Sequence, residues 1–270
     1  MSQIRLPPDL SGVEETMLWS LYERAYAAAR SDGPLRDEHC VRIYNSIDYD
    51  FQGNFGIPSE HASVRAQKID EVLRQWLSVH PSGFIVSLGE GLETQAYRVD
   101  NGTMRWLSVD LPDAIRMRER FIRPTERFRH LAMSALEPAW MDHVDDRFGV
   151  FIIAQGLLMY FSPAAVRELL GAIAKRFPGG EMMFDLVPRV LSESTSQGHK
   201  VTATWTSPAM PWGLDRNEAT STLRSWLPEL KKVNVSRYRP RSGRSTVVED
   251  ILDAVLPRRQ RLPSLVHICL

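Results

Sequence analysis

From residue 84 onward the chain alternates short, continuous apolar runs with stretches of helical period, and few folds accommodate that pattern. Residues 84–88, Phe-Ile-Val-Ser-Leu, read as a strand buried on both faces, and so do 105–110, 128–133, 150–155 and 181–186. Helical patterns lie between them at 113–121, 138–144 and 163–177. The last places Val166, Leu169, Leu170 and Ile173 at helical spacing, with Arg167, Glu168 and Lys175 elsewhere on the circumference. Such alternation predicts an α/β fold, a parallel sheet with helices on both faces. Two later strands, 232–236 and 264–269, flank a helical pattern at 245–255. The expected product is a doubly wound sheet of about seven strands whose last strand inserts antiparallel.

Two regions fall outside the alternation. Residues 1–80 hold no good strand and read as helices at 12–30 and 59–79, joined by a loop over 44–58, with Ser59 and Glu60 starting the second helix. The expected division is a helical extension or lid over 1–80 and an α/β core over 81–270. An insertion near 187–215, rich in Pro, Ser and Thr, follows the fifth strand. Ligands of open α/β sheets bind beyond the carboxyl ends of the strands, so this insertion is placed to cover a substrate. Within it Met210 and Trp212 offer large polarizable surface, and neighbouring prolines favour extended chain. The alternative is that Trp212 anchors the loop to the core.

Charge and cysteine content narrow the function. Lys plus Arg and Asp plus Glu both number 33, which argues against a protein that grips nucleic acid by neutralising phosphates. Cys40 and Cys269 lie far apart in sequence and build neither a disulfide framework nor a zinc-ligand spacing, so no metal is expected. The first residues lack the basic and apolar stretches of a secretory signal, and the most apolar segment, 150–161, is too short and broken to span a bilayer. The expectation is a cytoplasmic chain acting on a small molecule, without nucleic-acid or membrane partners.

The segment Leu88-Gly89-Glu90-Gly91-Leu92-Glu93-Thr94-Gln95 ends a strand in Gly-x-Gly and opens a helix. Glycines there allow a sharp turn and close approach of the backbone to a ligand. A second strand ends in Asp110, at the distance where an acid accepts hydrogen bonds from a ribose. A dinucleotide would want a third glycine and a helix N-terminus free of carboxylates for its pyrophosphate. Here Thr94 takes the third position, and Glu90 and Glu93 crowd the turn. S-adenosylmethionine carries a sulfonium and an ammonium and no phosphate, so acids suit it better. A bland alternative is that the two glutamates complement a helix dipole in solvent, which fits Glu93 better than Glu90.

Leu88 to Arg98 resembles the first motif of the leucine carboxyl methyltransferase superfamily, and Trp106-Leu107-Ser108-Val109-Asp110-Leu111-Pro112 its second strand. Ser134-Ala135-Leu136-Glu137-Pro138-Ala139-Trp140-Met141 and Ala154-Gln155-Gly156-Leu157-Leu158-Met159-Tyr160-Phe161 follow in order. Phe184-Asp185-Leu186-Val187-Pro188 and Met210-Pro211-Trp212-Gly213 are similar to a bacterial branch that methylates aromatic polyketides. The resemblance implies a class I, Rossmann-like S-adenosylmethionine fold with a lid insertion after the fifth strand. It implies that Gly89, Glu90 and Gly91 meet the cofactor's methionine and ribose, with Asp110 and Leu111 at the ribose. By the same likeness Ser134, Ala135 and Leu136 border the adenine, Gln155 and Gly156 touch the methionine end, and Arg65 holds the cofactor carboxylate. Many relatives carry Ala at position 90, Asp at 93 and Glu at 155, so Glu90 is a candidate to replace the charge lost at Gln155.

Transfer from a sulfonium is an in-line displacement that depends on alignment. A carboxylate acceptor needs no base, whereas a phenol with a pKa near ~10 benefits from one. Candidate acceptor-pocket groups are His61, Tyr160, Asp185 and Tyr44, with Tyr160 where the family places an active-site tyrosine. His61 precedes Arg65 by one helical turn. The leading expectation is an O-methyltransferase of a small aromatic natural product, with a carboxyl acceptor favoured. The competing ones are a non-catalytic protein of the same fold and, further off, a nicotinamide oxidoreductase.

Overall fold

The computed structural model describes residues 10, 12–195, 199–238 and 263–270. The helical pattern at 245–255 lies outside the described residues. Five parallel strands, β1 (Phe84–Leu88), β2 (Arg105–Asp110), β3 (Phe128–Ala132), β4 (Val150–Ala154) and β5 (Glu181–Leu186), form most of one sheet. A two-stranded hairpin, β6 (His199–Lys200) and β7 (Thr206–Ser207), stands apart from it. β8 (Lys232–Arg237) and β9 (Ser264–Cys269) complete the large sheet in the order β3-β2-β1-β4-β5-β9-β8. β9 runs antiparallel to both neighbours, as the sequence pattern predicts. β1 and β4 are buried at every residue, which explains their uninterrupted apolar sequences.

The helices in chain order are α1 (Thr16–Ala28), α2 (Glu38–Asn45), α3 (Phe51–Phe55), α4 (His61–Val79), α5 (Gln95–Val99), α6 (Pro112–Glu119), α7 (Pro163–Arg176), α8 (Arg189–Ser194) and α9 (Arg216–Trp226). Leu169, Leu170 and Ile173 of α7 pack on one sheet face with Leu223 of α9. α4 covers the other face through Ile69, Leu73 and Trp76. Ser162 caps α7 by accepting a hydrogen bond from the Ala165 N–H, and Pro163 occupies the first turn, where its missing donor costs nothing.

Two readings of the sequence are corrected here. The segment 138–144 is a 3₁₀ helix over Pro138–His143 rather than an α-helix. The span 44–58 holds α3 and the end of α2, not one loop. Asp37 and Asp50 start these two short helices, their carboxylates accepting from the Cys40 and Gly53 N–H groups. A third core then forms away from the sheet, where Leu18 and Tyr22 of α1 meet Ile43, Phe51, Phe55 and Trp205. The β6–β7 hairpin belongs to this cap: Thr202 and Thr204 donate to the carbonyls of Asn54 and Gly53, and Trp205 Nε1 donates to Glu15. No helix among the described residues is long and apolar enough to cross a membrane.

Candidate active site

Strand order reverses on either side of β1, which lies between β2 and β4, so a crevice opens beyond the carboxyl ends of these strands. Gly89 and Gly91 there adopt φ of +62° and +54°, a left-handed backbone that favours glycine. A side chain on Gly91 would place its Cβ 2.7 Å from the Met17 Cβ of α1. The Gly91 N–H donates to Asp110 Oδ2 at 2.7 Å, and the Leu111 N–H donates to Oδ1 at 2.8 Å. The glycine turn and the acid at the end of β2 are thus one hydrogen-bonded unit. Burial pushes the Asp110 carboxyl above its ordinary range, against the pull of the two backbone donors and Arg118.

A cavity of about 210 Å³ lies over this turn. Gly89, Glu90, Gly91, Asp110 and Leu111 line it from one side, and Arg65, Gln155, Gly156 and Tyr160 from the other. Arg65 donates from Nη1 to Asp185 Oδ2 at 2.6 Å, and Asp185 Oδ1 accepts from the Gly156 N–H at 2.6 Å. Asp185 is 1% exposed and does not line the cavity, so it positions Arg65 instead of meeting an acceptor. The Arg65 Nε and Gln155 Oε1 atoms are buried without a hydrogen-bond partner. An unpaired buried donor and acceptor are costly unless a ligand satisfies them. A ligand with a carboxylate and an ammonium would satisfy both, and a ribose would suit Asp110, so the residues fit S-adenosylmethionine.

The two glutamates of the turn behave differently from the sequence expectation. Glu90 does line the cavity, but its carboxylate turns into the protein, where Trp106 Nε1 and the Ser108 hydroxyl donate to Oε2 and Arg118 Nη2 lies 3.2 Å from Oε1. Glu90 is therefore engaged elsewhere and does not replace a charge at Gln155. Glu93 is 3% exposed, not solvated. Its carboxylate lies 3.1 Å from Arg24 Nη1 and 2.7 Å from Arg98 Nη1, and Oε2 also accepts from Gln155 Nε2 at 3.0 Å. That last bond turns the Gln155 amide so that its carbonyl oxygen is the unpaired atom. Burial alone would raise the Glu93 carboxyl, but Arg24 and Arg98 outweigh it and hold it down at about 2.

Tyr160 lines the cavity, and burial raises its phenol above the ordinary value, with Asp185 adding to the rise. Other sequence-derived candidates lie off the cavity. The segment carrying Ser134, Ala135 and Leu136 follows Met133, whose N–H donates to the Asp110 carbonyl, so it flanks the cavity's Asp110 end without lining it. His61 begins α4 one turn before Arg65, and its ring meets Tyr238 edge-on at 6.3 Å. Tyr44 is stacked on Tyr22 at 5.8 Å within the aromatic cap. Met210 is tied to α8, its carbonyl accepting from the Ser192 hydroxyl. Trp212 is 3% exposed and packs between Phe184 and Trp226, each 6.3 Å away between ring centroids. This is the anchor arrangement, so the covering role expected for Trp212 is corrected.

What covers the cavity is α1 and the residues just before it. Val13, Thr16, Met17, Ser20 and Arg24 form a stripe at helical spacing that faces the glycine turn. The sequence reading assigned a helix here but no site residue. The available signal was Arg24, a charge amid the apolar residues of that helix, which the structure buries at 2% exposure against Glu93.

This sheet order, with a cavity at the switch point and an acid, Asp110, ending β2, defines a Rossmann-like methyltransferase fold of class I. Solved structures of the same fold include the CurJ carbon methyltransferase, with TM-score 0.55 at 13% identity over 95% of this chain and 67% of that one. The methyltransferase domain of bacterial CtHen1 matches with TM-score 0.50 at 11% identity over 77% of this chain and 98% of that one. The profile of the leucine carboxyl methyltransferase family matches residues 24–174, and the chain belongs to that family. It is accordingly an enzyme of S-adenosylmethionine-dependent methyl transfer. Similar curated proteins are the tetracenomycin polyketide synthesis O-methyltransferase TcmP of Streptomyces glaucescens and the S-adenosyl-L-methionine-dependent methyltransferase dpfgK of Gibberella zeae. TcmP is 33% identical over 66% of this chain and 67% of its own length, and dpfgK 26% over 65% and 66%. The matches thus span about two thirds of these relatives.

Proposed function

We propose that this chain methylates an oxygen of a small, aromatic, polyketide-like molecule, and that the oxygen belongs to a carboxylate. The observation that carries the reading is the chemistry of the cavity wall. Among the described residues no histidine lines it, and of its carboxylates Glu90 and Glu93 face arginines and Asp110 accepts from two backbone N–H groups, which leaves Glu14 as the candidate base of the wall. Glu93 is held ionised at about 2 by two arginines, which makes it a weak base, and Glu90 faces Arg118. Tyr160 keeps its proton because burial raises its pKa. Such a wall suits an acceptor that is already ionised at neutral pH and needs no proton removed. The relationship to TcmP, named as an O-methyltransferase of polyketide synthesis, supports both the oxygen and the acceptor class.

In this reading S-adenosylmethionine supplies an electrophilic methyl group when bound. Arg65 takes its carboxylate with the nitrogens that Asp185 leaves free, Gln155 Oε1 accepts from its ammonium, and Asp110 accepts from its ribose. Glu93, one hydrogen bond behind Gln155, supplies the negative field for the cationic ligand. Tyr160 donates its hydroxyl proton in a hydrogen bond to the acceptor carboxylate and orients it, while Met17 and Phe161 exclude water beside it. The test is turnover with paired aromatic carboxylic acids and phenols. Methyl esters that mild alkali hydrolyses are expected from the acids. Alkali-stable ethers formed from the phenols alone would overturn the carboxyl assignment.

A further inference from the structure

At the opposite end of the sheet, away from the cavity, three chemically different donors meet. Glu181 stands at the amino end of β5, directly across from Cys269 on antiparallel β9, and Met183 stands across from His267. Alternate residues of a strand share a face, so Glu181, His267 and Cys269 project from the same side of the sheet. One carboxylate oxygen, one imidazole nitrogen and the thiol sulfur all lie within 4.8 Å of one another. Glu181 Oε2 and His267 Nε2 are 2.6 Å apart, with side chains 24% and 14% exposed, so the cluster is shielded yet reachable from solvent.

We infer that Glu181, His267 and Cys269 form a binding site for a borderline-soft divalent metal ion, zinc foremost, separate from the methyl-transfer site. One sulfur, one nitrogen and one oxygen from the protein leave a fourth tetrahedral position to water. Magnesium and calcium prefer all-oxygen shells and would not select this set. The donors come from two strands far apart in sequence, which is why no metal-ligand spacing can be read along the chain. Binding displaces the thiol proton to solvent and replaces the His267–Glu181 hydrogen bond by two metal bonds, with the imidazole proton then on Nδ1. The nearby cations oppose the ion. Lys231 and Lys232 act on Cys269, and Lys232 and His80 act on Glu181. Their repulsion limits the affinity, and the test reads binding directly.

The experiment is titration of the full chain with cobalt(II) in thiol-free buffer, followed by competition with zinc. One equivalent of cobalt should produce a thiolate-to-cobalt charge-transfer band in the near ultraviolet, and zinc should bleach it. Cys269→Ser should abolish the band, and Cys40→Ala should leave it intact. Losing a partner that merely orients a ligand costs about 10–100-fold in metal affinity, so His267→Gln and Glu181→Gln should each weaken binding at least about tenfold. S-adenosylmethionine affinity should remain at the wild-type level in each variant, which also shows that each is folded. A chain that gives no band, a band that survives Cys269→Ser, or unchanged affinity in His267→Gln would overturn the assignment.

Discussion

The Arg65 guanidinium serves two partners. Nη1 is committed to Asp185, while Nε is buried without a hydrogen-bond partner. Arg65→Ala would remove the proposed cofactor contact and also strand the Asp185 carboxylate, at a cost of about 3–5 kcal/mol in stability. Arg65→Lys separates the two duties, because an ammonium can keep the Asp185 pair but lacks the planar fork. We expect Arg65→Lys to lower S-adenosylmethionine affinity by about tenfold or more in calorimetric titration, and to melt nearer wild type than Arg65→Ala. Wild-type affinity in the lysine variant would remove Arg65 from the cofactor site. Trp212 calls for the opposite kind of experiment. As a residue of the core it should cost about 3–5 kcal/mol when truncated to Ala, with acceptor affinity retained in the folded fraction. A stable Trp212→Ala protein with weakened acceptor binding would contradict its placement between Phe184 and Trp226. The sequence could not settle this residue, because neighbouring prolines restrict the backbone but say nothing about which way an indole turns. Glu93 was equally illegible: a carboxylate at a helix start looks solvated until Arg24, distant in sequence, is brought against it.

At the scale of elements, β1 and β4 were legible because burial on both faces demands unbroken apolar runs, and the two late strands because they flank a helical pattern, whereas β3, expected to be buried, is an edge strand buried only in part. The cap was not. α2 and α3 are too short to announce themselves by periodicity, and packing among Tyr44, Tyr49, Phe51 and Phe55 holds them rather than local propensity. Most important for function is α1, which lies directly on the glycine turn. The cavity of about 210 Å³ is smaller than the ~300–1,000 Å³ usual for a ligand pocket, and α1 forms its cover. Gly91→Ala tests this contact. The left-handed backbone alone costs a non-glycine residue about 1–2 kcal/mol, and the new methyl would collide with Met17. Hydrogen exchange should therefore accelerate in α1 in the variant while β4 stays protected. Equal acceleration in both would show that α1 does not move independently of the sheet.

Across the whole molecule, a formal net charge of zero conceals how unevenly the charges are spent. Arg24, Asp37, Asp70, Glu93 and Arg98 are brought together where α1, α2 and α4 meet the glycine turn, and all five side chains are buried. Glu93 stands at the centre of that junction and makes it sensitive to acid. Its folded pKa of about 2 lies below the usual glutamate value, so its contribution is fully present above about pH 4.5 and is lost as pH falls toward 2. The depression corresponds to about 3 kcal/mol. Burial raises Glu90, Asp70 and Asp110 instead, and for these the sign reverses: protonation in acid relieves their desolvation. Wild-type stability against pH therefore mixes opposing contributions, and a difference between two proteins isolates the one at issue. Chemical denaturation of wild type and Glu93→Gln should show a stability gap that is constant above about pH 5 and narrows by about 3 kcal/mol as pH approaches 2. The three acids with raised values titrate in both proteins and largely cancel from the gap. A gap that stays constant through that window would mean that Glu93 is not ionised between its two arginines, and that α1 is held to the glycine turn by packing and by the hydrogen bond from Arg24 Nη2 to the Leu92 carbonyl.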